Sequence, residues 1–132
     1  MPIQVEDGGV DVGIVTNAAE PMLVFYGEVL GLTQVGEMAM PGGMYMHRFQ
    51  CGASQLKLVV QQREAPAAPA GGIAGGRGFR YVTLHVVDLE AAVAAAEQAG
   101  ARVPVPITEL AAGRRIAIVE DPDGNWVEFL QT

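Results

Sequence analysis

The feature that most limits what this chain can fold into is a pattern of turns, caps and alternating runs that occurs twice, about 70 residues apart. In the first copy, Val10 to Val15 alternates as a short strand, with Val12 and Ile14 on one face and Asp11, Gly13 and Val15 on the other. Asn17 is placed to cap a helix whose first turn tolerates Pro21. Met22, Phe25, Tyr26 and Val29 recur at helical spacing, and Gly31 is a natural stop. Three extended segments follow, Thr33 to Met40, Met44 to Gln50 and Leu56 to Val60, separated by glycine-bearing turns.

The second copy repeats that order. Tyr81 to Val87 reads as a strand, Asp88 as a helix cap, Ala91 to Ala99 as an alanine-rich helix and Gly100 as its stop. Ala101 to Pro106 is extended, with two prolines that point to a sheet edge. Arg114 to Glu120 and Trp126 to Leu130 are strands joined by Pro122-Asp123-Gly124-Asn125. The spacing agrees position by position. Asp11 precedes Gly31 by 20 residues and Tyr81 precedes Gly100 by 19, while Asp11 precedes Lys57 by 46 and Tyr81 precedes Glu128 by 47. The expectation is an α+β fold of two βαβββ modules within a single domain spanning 1–132. Residues 10–62 form the first module, 63–78 an Ala/Pro/Gly-rich linker, and 79–131 the second module. Neither half could cover both faces of its own sheet, so the two are expected to pack together.

Composition narrows the function classes. The chain has 132 residues, 50% of them hydrophobic and only 17% charged, which supports one sound core and argues against global disorder. Eight basic and fifteen acidic residues give a formal net charge of −7, the wrong sign for a nucleic-acid or anionic-membrane partner. Cys51 is alone and cannot form an internal disulfide. No basic segment followed by an apolar one opens the chain, and no apolar run approaches the ~20 residues of a membrane span. These features point to a cytoplasmic protein.

The run Asp121-Pro122-Asp123-Gly124-Asn125-Trp126-Val127-Glu128-Phe129 resembles the terminal motif of the vicinal oxygen chelate superfamily, the glyoxalase, bleomycin resistance protein and dioxygenase group. Phe25 to Leu32 is similar to the end of that family's first helix, and Val86 to Val93 to the start of its second. The resemblance extends from about Val10 to Gln131 and implies two βαβββ modules whose curved sheets form an open cleft. It also implies a homodimer. Metal-dependent members place ligands at four positions, commonly His or Gln, Glu, His and Glu. The matching residues here are Asp11, Lys57, Tyr81 and Glu128. Only Glu128 fits that pattern outright. Asp11 could offer oxygen to a hard cation, so Asp11 and Glu128 are the weak metal candidates, and a divalent metal is not favoured as cofactor. Protonated lysine has no lone pair to give, and tyrosine must first lose a proton.

Strand parity and the resemblance together give the candidate ligand-binding set: Asp11, Lys57, Tyr81, Thr83, His85, Trp126 and Glu128. Tyr81, Thr83 and His85 share a face, and Trp126 shares parity with Glu128. Lys57 and Glu128, at matching sites, could pair with each other, as could Asp11 and Tyr81. Glu128, His85 and Tyr81 are the candidates for acid–base chemistry. His47 is a lesser candidate whose facing the sequence leaves open. Met38, Met40, Met44 and Met46 gather around one turn, as either core packing or a wall that adapts to apolar ligands. Three functions compete: a metal-free protein binding a small organic molecule, a glyoxalase-like lyase, isomerase or dioxygenase with atypical metal or acid–base chemistry, and an interaction protein with a vestigial cleft. The broken ligand set on an intact scaffold favours the first.

Overall fold

The computed structural model describes residues 2–132. It divides into two compact units, one running to Ala65 and the other from Pro66 to Thr132. In the first unit, β1 (Val12–Thr16) leads into helix α1 (Ala19–Leu23), whose winding widens over Val24–Val29. In that wide turn the Leu30 N–H reaches back five residues to the carbonyl of Phe25 at 2.9 Å. Then come β2 (Thr33–Met40), β3 (Met44–Cys51) and β4 (Ser54–Val60). The sheet order is β1-β4-β3-β2, with β1 parallel to β4 and the other pairs antiparallel.

The second unit has the same plan. Strand β5 (Tyr81–His85), helix α2 (Leu89–Gln98), β6 (Val105–Ala111), β7 (Arg114–Glu120) and β8 (Trp126–Gln131) build a sheet in the order β5-β8-β7-β6. Strand β5 is parallel to β8, as β1 is to β4. The duplicated βαβββ architecture read from the sequence is therefore the architecture of the molecule. Gly31 and Gly100 stop the two helices with φ of +73° and +86°, a conformation that costs other residues strain.

In each unit the helix covers one face of its own sheet. Met22, Phe25 and Tyr26 of the first helix are buried, as are Phe49, Leu56, Leu58 and Val60 from β3 and β4. Leu89, Val93 and Ala96 of α2 are buried with Ala117, Val119, Val127 and Phe129 of β7 and β8. Alternation along the strands leaves the second face of each sheet to the functional candidates.

Two local expectations are corrected. Asn17 does not cap α1. Its amide donates to the carbonyls of Gln61 and Arg63 at 2.9 and 2.8 Å, and its carbonyl accepts from the Ala65 N–H at 2.8 Å. Asn17 thus ties down the segment leaving β4, and the hydroxyl of Thr16 accepts from the Ala18 N–H instead. The edge strand β6 starts at Val105 rather than Ala101 and continues to Ala111. Its pairing with β7 slips twice, which accommodates Pro106, a residue with no N–H to offer a ladder. The Ala/Pro/Gly-rich segment is held by Arg80, which donates to the carbonyls of Gly72 and Pro69 at 2.6 and 2.7 Å.

Candidate functional site

In the second unit, the face of the sheet away from α2 carries Tyr81, Thr83 and His85 on β5, and Trp126 and Glu128 on the neighbouring β8. The register sets Tyr81 beside Trp126, Thr83 beside Glu128 and His85 beside Leu130. The Thr83 hydroxyl donates to Glu128 Oε1 at 2.7 Å. Tyr81 is half exposed, at 51%, and His85 is exposed. The indole N–H of Trp126 donates to Glu120 Oε2 at 3.2 Å, and Gly72 lies so close to the indole face that a Cβ there would collide with it. The segment before β8 is a rigid turn built around the buried Asp121. Asp121 Oδ1 accepts the N–H groups of Asp123 and Asn125 at 2.9 Å each, and Oδ2 accepts the Asn125 side-chain amide at 2.8 Å. The Asp-Pro-Asp-Gly-Asn motif thus fixes where β8 begins and which face Glu128 takes.

The first unit presents the corresponding face with different chemistry. Asp11 lies just ahead of β1, where its Oδ1 accepts the Gln55 N–H at 2.8 Å. Its Oδ2 stands 3.6 Å from Lys57 Nζ, with both side chains more than a third exposed. The register sets Gly13 beside Lys57 and Lys57 beside Arg48. Asp11 and Lys57 therefore pair within the first unit, and Glu128 pairs with Thr83 within the second.

Parity resolves the two open questions on β3. Met44, Met46 and Arg48 share the Lys57 face, as do Gly36, Met38 and Met40 of β2 by register. His47 and Tyr45 point to the opposite face, the one that buries Phe49. There His47 Nδ1 lies 3.4 Å from Glu37 Oε2 and 3.1 Å from the Gln34 amide, with the Tyr45 ring edge-on at 5.1 Å. Partial desolvation and the Glu37 carboxylate hold the Tyr45 phenol above its usual pKa. His47 thus belongs to a polar cluster away from the Lys57 face. Arg48 escapes a reading of the sequence alone, although its parity with Met44 and Met46 in one strand is an available signal.

The donor set is a poor fit to a divalent transition metal. The second ligand position holds an ammonium group facing the carboxylate of the first, and the third holds a phenol. Such ions favour imidazole, thiolate and carboxylate donors. Among the described residues no group of three or more His, Cys, Asp and Glu side chains converges. No helix among them is long and apolar enough to cross a membrane.

A family model described as Glyoxalase/Bleomycin resistance protein/Dioxygenase superfamily matches residues 10–129. The uncharacterized protein YwbC of Bacillus subtilis (strain 168) is 27% identical over 122 residues, covering 90% of this chain and 93% of that one. A glyoxalase family protein from Bacillus cereus superposes with a TM-score of 0.78 at 16% identity, covering 92% of this chain and 91% of that one. A glyoxalase family protein from Enterococcus faecalis gives a TM-score of 0.69 at 20% identity, covering 92% and 93% of the respective chains.

Proposed function

This chain belongs to the glyoxalase/bleomycin resistance protein/dioxygenase superfamily, and from that premise we propose that it binds a small organic molecule without using a metal. The candidate surfaces for it are the sheet face of the first unit that carries Lys57 and the sheet face of the second unit that carries Glu128. The observation that carries this reading is the Lys57–Asp11 ion pair at 3.6 Å. It places a positive charge, and no lone pair, where a metal-dependent relative has a carboxylate ligand. The same faces combine methionine and aromatic side chains with a few polar groups, the usual composition of a small-molecule site. We further propose that the protein pairs with a second copy of itself in a two-fold dimer, the commonest symmetry of soluble oligomers. Light scattering showing a strict monomer at micromolar concentration would remove that reading.

Elemental analysis of protein purified without chelator tests the metal-free part, with no stoichiometric transition metal expected. An ion held by both Asp11 and Glu128 would overturn it. For a ligand found by screening, Tyr81→Ala and Trp126→Ala are each expected to weaken binding by about 1 kcal/mol or more, as truncated aromatic anchors do. Unchanged titration calorimetry in both variants would remove the second unit's face from the binding site. Glu128→Gln separates binding from chemistry. A binding protein has no turnover to lose, whereas a general base would lose roughly a hundredfold.

A further inference from the structure

Arg48 is the best-placed group on the Lys57 face that small-molecule binding through the family's ligand positions leaves unused. It sits in β3 directly beside Lys57 of β4 and beside Gly36 of β2. Its guanidinium lies across Gly36, where any Cβ would collide with Nη2. A glycine is therefore what lets the planar group rest on the sheet. The Arg48 Nε is buried, and among the described residues it is the one buried side-chain nitrogen or oxygen without a hydrogen-bond partner. None of the ion pairs among those residues involves Arg48.

This arrangement is costly by itself. Like charges on directly opposed residues of neighbouring strands repel. Asp11 compensates Lys57 alone. A buried guanidinium N–H left unmade forfeits the hydrogen bond it had in water. A chain of net charge −7 has acidic side chains to spare, yet none pairs with Arg48 among the described residues. An oxyanion at the terminal guanidinium nitrogens, which unlike Nε are not among the buried unpartnered atoms, would pair the group and relieve the repulsion together. Next along the same face from the cations come Met46 and its cross-strand partner Met38, with Met44 further along, flexible apolar side chains suited to an organic body of variable shape.

We propose that Arg48, with Lys57 beside it, reads an oxyanion, so that the bound molecule is an organic acid: a carboxylate carried on an apolar group. This inference rests on the reading that the Lys57 face binds a small molecule, and it names the class of that molecule. Lys57 supplies long-range attraction through its exposed ammonium. Arg48 supplies orientation, because its planar donors match the two oxygens of a carboxylate.

The test uses protein labelled at its methionine methyl groups and a panel of aryl- and alkyl-carboxylates, each with its neutral primary amide, followed by NMR titration. In the parent protein each acid that binds is expected to do so about tenfold or more tightly than its amide, shifting the resonances of Met38 and Met46. Arg48→Gln is expected to erase that preference and Arg48→Lys to restore part of it. Gly36→Ala keeps the arginine but displaces its guanidinium from its place across the strand, so it too should weaken the preference. It also carries the test if Arg48→Gln does not fold. Acids and amides binding equally well in the parent would overturn the inference while leaving the small-molecule reading intact. A full acid preference surviving in a folded Arg48→Gln or Gly36→Ala protein would do the same. No shift from any acid or amide at millimolar concentration would overturn both.

Discussion

The Thr83 hydroxyl donates a hydrogen bond to Glu128 Oε1 at 2.7 Å, across two parallel strands whose counterparts in the other unit set Gly13 beside Lys57. Duplication preserved the backbone register and changed the chemistry on it. Gly13 has no side chain with which to engage Lys57, so the ammonium pairs with Asp11 two residues earlier. Thr83→Val retains shape and removes the donor. We expect it to destabilise the protein by about 1 kcal/mol in urea denaturation, the usual net worth of such a bond. A cycle with Glu128→Gln should return a coupling of similar size. Additive effects of the two changes would show that the bond contributes nothing in solution.

On the covered face of the second unit, Arg115 holds Glu90 through two hydrogen bonds, at 2.5 and 3.2 Å, joining β7 to α2. The Arg115 hydrogen bonds keep the Glu90 carboxyl below its usual pKa. Since the folded-state value is the lower one, the stabilisation is present above the unfolded pKa and lost as pH falls through the folded one. The melting temperatures of the parent and Glu90→Gln should therefore differ at neutral pH and converge on acidification through the carboxylate range. The gap should also narrow in high salt, because the pair is exposed. A gap independent of pH would assign the effect to packing.

Cys51 closes β3, opposite Ser54 in the hairpin to β4. Partial burial raises its thiol pKa, and a backbone hydrogen bond at Leu56 offsets only part of that rise. Thiolate is the reactive form. Alkylation by iodoacetamide at neutral pH should thus be several-fold slower in the folded protein than in urea. Equal rates would mean that the thiol is as free as in an unfolded chain.

Features under local chemical control are legible in the sequence. The bounds of β2 and β7 are readable because alternation and flanking glycines mark them, and Asp88 is readable as a cap because its spacing to the Ala91 N–H is local. Asn17 misleads for the complementary reason. The sequence shows a residue able to cap, but its partners Gln61, Arg63 and Ala65 lie more than 40 positions away. The start of β6 is hidden because proline suppresses the strand signal, while the slips that admit Pro106 belong to the pairing with β7. In the candidate site, parity places Tyr81, Thr83 and His85 correctly on one face. The partners of Lys57 and Glu128 depend on register across strands, and so does the meeting of Arg48 with Gly36, which makes a glycine inside a strand informative.

The contact between Gly72 and Trp126 gives the last test. Gly72 lies in a short helical turn, Gly72–Ala74, within the Ala/Pro/Gly-rich segment, and its φ of +55° is one that alanine adopts only with strain. A methyl group there would also strike the indole ring, a wide and rigid obstacle. Two independent costs therefore fall on Gly72→Ala, and the protein should lose roughly 1–3 kcal/mol of stability, within the range of substitutions that strain the backbone or overpack. The same change should lift the segment from the indole. Arg80 anchors the segment through the Gly72 and Pro69 carbonyls and cannot hold both if the turn moves. Trp126 is the only tryptophan, so its fluorescence reports the event directly, with a shift to longer wavelength as water reaches the ring. At Gly76 a Cβ would make only ordinary contact with Pro69 and Arg80, so Gly76→Ala is the control and should leave the emission unchanged. Identical emission and stability in Gly72→Ala and the parent would show that the segment does not rest on Trp126 in solution.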